Sequence, residues 1–260
     1  MKEPRVVRSD IAWATPEKIV IHGLDLCNDI VGKLDLGQMA FVEVFARVPD
    51  EAELRMFNAM MVILVEHGIT PSSLATRLTV CGAPEAVQGA IAAGLLSLGS
   101  VFVGSIDNAA RMLQEGLADA PADADLDRIA TRIVADFKAR REIIPGIGHP
   151  FHKPIDPRTP ALFKVAGETG FNGRYVALME KIGAEAARVS KRDLPVNVTG
   201  AMAAIASEFG LSWKVVRGLA VAARAIGLVG HVMEEMRQPM GDEIYYRMEE
   251  EAARHLRPAK

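Results

Sequence analysis

The feature that most constrains the fold is a succession of segments with helical spacing, each ended by glycine or proline. The clearest runs from Asp50 to Gly68, where apolar residues recur every three or four positions. Glu51 and Glu53 lie in its first turn and suit the positive end of a helix dipole. Roughly ten such segments follow one another along the chain, without an internal repeat. The pattern predicts an all-α protein.

The composition agrees with this prediction. Aromatic residues make up 5% of the chain, which is low for a sheet sandwich. The stretch "KIVIHGLDL" is the exception, because it reads as a short strand or turn broken at Gly23. With 260 residues, the chain can bury a large core as one domain or as two lobes.

The charge and cysteine content argue against several classes of partner. The net charge is −3 and no run of lysine or arginine is present, so neither nucleic acid nor a membrane surface is an expected partner. An anionic ligand must therefore be bound by local cations. Cys27 and Cys81 are far apart and are expected to be buried, reduced thiols. The N-terminal stretch "MKEPRVVRSDIAW" shows no secretory signal, so we expect a cytoplasmic protein.

One uncharged segment, residues 86–106, is long enough to span a bilayer. It contains four glycines, three serines and a glutamine, and it lacks basic or aromatic anchors at its ends. We interpret residues 86–98 as a helix buried at the centre of an all-α protein or at a subunit interface.

Residues 143–158, "IIPGIGHPFHKPIDPR", form a segment that we call the proline loop. It holds four prolines, two glycines, two histidines, a lysine and an arginine between two helical patterns. His149 and His152 are three apart, but the intervening proline spoils a helical ligand face, and no cysteine or acid cluster joins them. We therefore predict no metal site. Phosphate-binding glycine loops, "HEXXH" and G-x-S-x-G motifs are also absent.

Three further polar residues lie in unusual positions. Glu66 and His67 close an otherwise apolar helix, and Arg224 interrupts the apolar run "GLAVAARAIGLVGH". A guanidinium in such a run needs an anion. Purely structural explanations are also open. His67 could stabilise a helix dipole, and Arg224 could pair with a buried carboxylate such as Glu234 or Glu235. The "DPR" segment of the proline loop could be a plain turn.

Taken together, these segments resemble the citrate synthase superfamily. The resemblance is carried, in order, by "MVILVEHGITPSSLATRL", "IPGIGHPFHKPIDPR", "LPVNVTGAMAAI" and "AARAIGLVGHVMEE", and it runs from about residue 16 to residue 246. It is strongest to citryl-CoA lyases and to the C-terminal citryl-CoA-cleaving module of ATP-citrate lyase. It implies a large helical domain (about 1–145 and 225–260) and a small one (about 146–224) in an intertwined homodimer or higher oligomer, with composite active sites.

The resemblance also implies a reaction and its ligands. These enzymes make or break the carbon–carbon bond between acetyl-CoA and a keto acid such as oxaloacetate. The ligands would be an organic acid and a CoA thioester, with no metal. The adenine of CoA would lie against the backbone of Ile144, Pro145, Gly146, Ile147 and Gly148. Lys153 would contact a CoA phosphate.

The same resemblance assigns the substrate residues. His149 would hydrogen-bond the keto or hydroxyl oxygen where charge develops. His67 matches the family's first substrate histidine. Arg158 and Arg224 would bind substrate carboxylates. Arg237 matches an arginine that the partner subunit supplies.

Two positions depart from the family pattern. The catalytic aspartate of "NVDG" is replaced by Thr199. A threonine hydroxyl does not ionise at neutral pH, so it cannot act as the base or acid that moves the proton on the acetyl carbon. The histidine of "LHGGANE" is replaced by Val103. The lyase module of ATP-citrate lyase also lacks that histidine, so this second departure favours a lyase over a synthase. The proton could instead come from Glu66, from Asp107 or from water held by Thr199. Alternatively, the protein uses another acyl-CoA, or it binds the acid and CoA without turnover.

Overall fold

The computed structural model describes residues 7–101 and 103–257. Residues 1–6 belong to the N-terminal stretch in which no signal sequence is expected, and they lie outside the described residues. The described residues form eleven α-helices: α1 Leu36–Phe45, α2 Glu51–Val65, α3 Pro71–Gly82, α4 Val87–Leu96, α5 Ser105–Leu117, α6 Leu126–Arg140, α7 Arg158–Thr169, α8 Arg174–Ser190, α9 Val198–Glu208, α10 Trp213–Arg237 and α11 Gly241–Ala253. The all-α prediction is confirmed.

A small antiparallel sheet precedes these helices. Its strands are β1 (Ala12–Ala14), β2 (Ile19–Ile21) and β3 (Leu24–Asp25), in the order β1-β2-β3. Ala12 lies opposite Ile21, and Val20 lies opposite Asp25. Gly23 makes the turn between β2 and β3 with a φ of 85°, as the sequence predicts.

Helix α2 begins where its sequence predicts. The Asp50 carboxylate accepts a hydrogen bond from the backbone N–H of Glu53 at 2.8 Å, and the Glu53 carboxylate accepts one from the backbone N–H of Asp50 at 3.0 Å. This capping box satisfies two of the free donors at the helix start. The helix ends at Val65, and Gly68 takes a left-handed conformation just beyond it.

Helix α9 lies at the centre of the core. Nine of its eleven residues are buried, and four of these are alanines. The small side chains let α5, α7 and α8 pack closely around it. The first turn of α9, which carries Thr199, is therefore fixed by packing on several sides.

Helix α10 is continuous over 25 residues and packs against α2, α3, α4 and α5. The boundary predicted near residue 225 falls inside it, and the division into two lobes stays a prediction. By length and composition α10 could also cross a membrane, but half of its most apolar stretch is buried within the protein. A buried core helix meets the same criterion.

The apolar segment predicted as a helix at the centre of the protein or at a subunit interface forms α4, and a single chain covers only one side of it. Ala90 and Gly94 are buried against α3 and α10, whereas Leu96 is 85% exposed. Within one chain α4 is therefore not a central helix, and its place at a subunit interface stays a prediction. The predicted burial of Cys27 and Cys81 is wrong, because both are exposed.

Candidate active site

The proline loop is joined to the segment before α9 by backbone hydrogen bonds. The Gly148 N–H donates to the Pro195 carbonyl at 2.7 Å, and the Asn197 N–H donates to the Gly146 carbonyl at 2.9 Å. The Asn197 side chain also donates from Nδ2 to the Gly148 carbonyl at 2.7 Å. These bonds fix the loop relative to the start of α9.

Glycine is required where the loop contacts α9. Gly146 has a φ of 80°, and a Cβ there would lie 2.6 Å from the Cα of Gly200. A Cβ on Gly200 would in turn lie 2.6 Å from the Gly146 carbonyl oxygen. Ile144 and Pro145 are half-buried, and Ile147 is buried. The backbone predicted to receive CoA is therefore packed into the protein and preorganised.

Asp156 holds Arg158 at the first residue of α7. The carboxylate of Asp156 is fully buried, and it accepts hydrogen bonds from Nε and Nη2 of Arg158 at 3.0 and 2.9 Å and from the backbone N–H of Val198 at 2.9 Å. Burial raises the pKa of Asp156, but these hydrogen bonds outweigh it, and the pKa lies below its ordinary value. The Arg158 guanidinium, with five N–H donors, keeps some for a ligand.

His149 lies beside Arg158, with its Nε2 3.4 Å from the arginine Nη2. Its Nδ1 accepts hydrogen bonds from the backbone N–H groups of Phe151 and His152, at 3.1 and 3.0 Å. These bonds assign the proton of the neutral ring to Nε2. Burial, followed by the nearby His152 and Arg158 charges, lowers the pKa of His149, and Asp156 opposes this only in part. His149 is therefore a fixed neutral donor.

His67 lies two residues after the end of α2, beside α10. A Cβ at Gly227 would overlap the Val65 carbonyl, so α10 contacts the last turn of α2 closely. Burial and the charges of Arg158, His152 and Arg224 lower the pKa of His67. A helix-dipole role would instead favour the charged ring. The interpretation as a dipole-stabilising residue therefore does not fit.

Arg224 is a buried cation without a hydrogen-bonded partner at two of its nitrogens. Its side chain is 9% exposed, and among the described residues no group accepts from Nε or Nη1. Burial lowers the pKa of Arg224, the Glu66 charge raises it, and the Arg158 charge lowers it further. A guanidinium nevertheless stays charged, and an unpaired buried charge costs several kcal/mol. The site is therefore built for an anion.

The predicted pairing of Arg224 with Glu234 or Glu235 is wrong. Both carboxylates contact Arg77 of α3 instead, and the Glu235 contact measures 2.9 Å. Residues 224 and 235 belong to one continuous helix, where eleven residues span about 16 Å. Their side chains therefore cannot meet.

Sequence reasoning missed a buried polar network behind His67. Arg77, which is 2% exposed, donates from Nε to Nδ1 of His231 at 3.1 Å. His231 Nε2 lies 3.0 Å from the Glu66 carboxylate, although the N–H direction is poorly aligned for a hydrogen bond. Glu66 in turn accepts from the backbone N–H groups of His67 and Gly68. The network links α3 and α10 to the loop that carries His67.

A third histidine also lies in the cluster. The ring centre of His152 is 4.4 Å from that of His149 and 5.9 Å from that of His67. From its sequence position, His152 was considered only as a metal ligand, and that interpretation was weak. Within residues 7–101 and 103–257, no group of three or more His, Cys, Asp or Glu side chains is arranged to hold a metal ion.

Thr199 lies in the first turn of α9 with its hydroxyl already engaged. It donates to Oδ1 of Asn197, the N-cap, at 2.7 Å, and Ser105 Oγ lies 2.9 Å away. Because the single Thr199 proton goes to Asn197, Ser105 is the donor of the second bond. Ser105 begins α5, just after Val103, whose φ is 71°.

Two predicted ligand residues are exposed, and one of them, Arg237, lies far from this cluster. Arg237 is exposed at the last residue of α10, and thirteen residues of helix place it about 20 Å from Arg224. Lys153 is exposed on the proline loop. A cavity of about 850 Å³ lies between α5 and α6, and of the predicted residues only Pro145 lines it. This cavity is therefore separate from the histidine and arginine cluster.

Comparison with known proteins identifies the relatives of this chain. A family model described as "Citrate synthase, C-terminal domain" matches residues 24–247. The probable ATP-citrate synthase subunit 1 of Neurospora crassa is 24% identical in an alignment of 258 positions that covers 93% of this chain. This chain spans 37% of the length of that protein.

Solved structures show the same relationship. The citryl-CoA lyase of Hydrogenobacter thermophilus superposes with a TM-score of 0.81 and 33% identity, over 90% of this chain and 88% of that one. The ATP citrate lyase of Methanothrix soehngenii, solved with citrate and coenzyme A, has a TM-score of 0.73 and 23% identity. The superposition covers 91% of this chain and 40% of the Methanothrix soehngenii chain. At 23% identity this second likeness establishes the fold alone.

Proposed function

Because the chain belongs to the citrate synthase family, we propose that it is a citryl-CoA lyase-like enzyme. It would cleave or form the carbon–carbon bond between the acetyl group of acetyl-CoA and a keto acid such as oxaloacetate. The observation that carries the proposal is the buried Arg224, whose Nε and Nη1 donate to no acceptor among the described residues. That cation lies in one cluster with Arg158 and neutral histidines, which suits an anionic acid undergoing charge development.

The proposed binding mode divides the ligand between two sets of groups. Arg158 and Arg224 would bind the carboxylates of the acid, because a guanidinium offers two parallel donors to a carboxylate. His149 would donate from Nε2 to the hydroxyl or keto oxygen. The packed backbone of residues 144–148 and the exposed Lys153 would receive CoA. The H. thermophilus relative is a citryl-CoA lyase, and it is matched over most of its length.

Release of oxaloacetate from citryl-CoA tests the proposal. We expect NADH oxidation in a coupled assay with malate dehydrogenase. The variant Arg158→Lys keeps the charge but loses the two-donor fork, and should lower kcat/KM by roughly 10–100-fold. The matched control is His255→Gln, an exposed histidine far along the chain. Stabilisation by citrate and CoA without any product would indicate a binding protein instead.

A homodimer with shared sites follows from the same proposal. Ile226, Val229, Met233 and Met236 form an exposed apolar stripe on α10, each at least 42% exposed. Four such residues on one helix face are unusual for a surface in water. The stripe leads to Arg237, which a single chain leaves remote from the cluster. In the dimer, Arg237 of one subunit would complete the site of the other.

Complementation between subunits tests this arrangement. Arg237→Ala and Arg224→Met should each inactivate the protein alone, because each removes one half of every site. Co-expressed dimers of the two variants contain one site with both arginines and should recover part of the activity. Activity of monomers at concentrations where light scattering shows no dimer would contradict a shared site.

A further inference from the structure

His152 is one of two histidines in the cluster, with His67, whose rings make no hydrogen bond to the described residues. Its side chain is half-buried between the rings of His149 and His67. Over residues 7–101 and 103–257, its ring makes no hydrogen bond, although its backbone N–H binds Nδ1 of His149. It is therefore oriented by the loop while both ring nitrogens remain open to a ligand.

The other groups that could move a proton are occupied. Nδ1 of His149 accepts two backbone N–H groups, so His149 cannot take a second proton without breaking both bonds. Asp156 is fully buried and filled by Arg158 and Val198 donors. The single hydroxyl proton of Thr199 is used by Asn197.

The carboxylates that the sequence offers as substitutes for the missing aspartate are also engaged. Glu66 accepts the backbone N–H groups of His67 and Gly68 and faces His231. Asp107 accepts the backbone N–H of Arg217 at 2.9 Å and lies 2.7 Å from its Nε. A substrate proton would have to displace these partners.

His67 has a free ring as well, but its neighbours give it another task. The charges of Arg158 and Arg224, which would hold the substrate carboxylates, both act on His67. His67 therefore lies near the groups that would bind the carboxylates of the organic acid. His152 lies on the same loop as the backbone proposed for CoA, three residues after the oxygen donor His149.

We propose that His152 is the general acid–base that replaces the missing aspartate. This inference rests on the proposed function. In cleavage, the neutral imidazole accepts the hydroxyl proton, and the O–H electron pair forms the keto carbonyl. The carbon–carbon bond breaks, and its electron pair becomes the enolate of acetyl-CoA. The imidazolium then gives a proton to the enolate carbon, so that no proton is gained or lost overall, and this proton can exchange with solvent before it is delivered.

Chemical rescue tests the assignment. His152→Ala should lower the single-turnover rate of citryl-CoA cleavage by about 10²–10⁴-fold. Added imidazole should restore part of that rate, which no structural role of His152 predicts. Citrate and CoA should still raise the melting temperature of the variant, and His152→Gln serves if the alanine variant does not fold. His255→Gln, treated identically, should match the wild type with or without imidazole.

The pH profile of the rate adds a second readout, because His152 is surrounded by charged and titrating groups. His67, His149, Arg158 and Arg224 face the cluster, with Asp156 behind Arg158. The wild-type rate should fall at low pH with protonation of a single histidine, and that limb should disappear in His152→Ala. An unchanged acid limb in this variant would overturn the inference.

Proton exchange separates this inference from the choice of substrate. In D₂O with oxaloacetate present, the wild type should exchange deuterium into the methyl group of acetyl-CoA, measured by NMR, and His152→Ala should not. If citryl-CoA is not cleaved but this exchange depends on His152, the substrate proposal fails and the inference stands. Exchange that persists in His152→Ala, absence of exchange in the wild type, or imidazole rescue at His67→Ala instead would overturn it.

Discussion

His231 on α10 lies 3.0 Å from the carboxylate of Glu66, the residue that immediately follows α2. Because the other ring nitrogen of His231 accepts from Arg77, its proton is on the nitrogen that faces Glu66. Burial raises the pKa of Glu66, but the His67 and Gly68 N–H groups and His231 lower it more. An ionised Glu66 thus fixes the backbone of His67.

Removal of His231 should affect both stability and catalysis. His231→Ala leaves the Nε of the buried Arg77 without an acceptor, which should lower the free energy of unfolding by roughly 2–3 kcal/mol. The loop of His67 should also loosen, so that kcat falls more than the affinity for citrate. Urea denaturation and steady-state kinetics measure the two effects. A variant as stable and active as His255→Ala would show that the network holds nothing in place.

Arg224 should stabilise the complex but destabilise the free protein. Arg224→Met removes an uncompensated buried cation and should raise the free energy of unfolding by about 1–2 kcal/mol without ligand. The same variant should lose the rise in melting temperature that citrate gives the wild type. Arg217 lies on the same helix as Arg224, and it contacts Asp107 of α5. Arg217→Met removes this paired arginine and should instead lower stability. A less stable Arg224→Met protein without ligand would contradict the account.

Asp156 predicts a specific dependence of stability on pH. Its folded-state pKa lies below the ordinary value of 3.8, so its ionised form stabilises the fold above that pH. This contribution is lost as the pH falls below 3.8 toward the folded-state pKa. Asp156→Asn should cost roughly 2–3 kcal/mol at pH 7. The difference from the wild type should shrink as the pH falls from 4.5 to 3, by at most about 1 kcal/mol for one carboxylate, and a constant difference in chemical denaturation would contradict this.

Thr199→Asp should restore the carboxylate that the family uses. The first turn of α9 favours a negative charge, so the variant should fold. In a His152→Ala background it should raise the cleavage rate of citryl-CoA by about tenfold or more, because a proton-transfer group typically contributes 10²–10⁴-fold. Thr199→Asn has the same shape without the titrating group and should give no increase. An equal increase with both substitutions would point to shape rather than to proton transfer.

The fold was largely predictable because its signals are local. The start of α2 at Asp50, the strand break at Gly23 and the rigid loop at residues 143–158 each depend on neighbouring residues. The exposed flank of α4 was not predictable in this way. Whether an apolar helix is covered depends on what packs against it, and one chain covers only the side of Ala90 and Gly94.

The site was predictable only where a residue conflicts with its local surroundings. Arg224 within an apolar helix and the cations of the proline loop stood out for that reason. Arg77 and His231, by contrast, are 154 residues apart in the sequence and meet only through the packing of α3 on α10. His152 did not stand out in the sequence, because its spacing from His149 was tested only against metal-ligand geometry. In the folded loop, the two rings are close without sharing a helix face.

The most direct test of the account is the stoichiometry of products in a single turnover of citryl-CoA. Quenched samples would be analysed for acetyl-CoA, oxaloacetate, free CoA and citrate, with the wild type and His149→Ala compared. We predict acetyl-CoA and oxaloacetate in equal amounts. The rate should be lower in the variant by about 10²-fold or by a larger factor, because one oxyanion donor is lost. Citrate and free CoA as products, or no conversion by a protein that binds both ligands, would contradict the assignment as a carbon–carbon lyase.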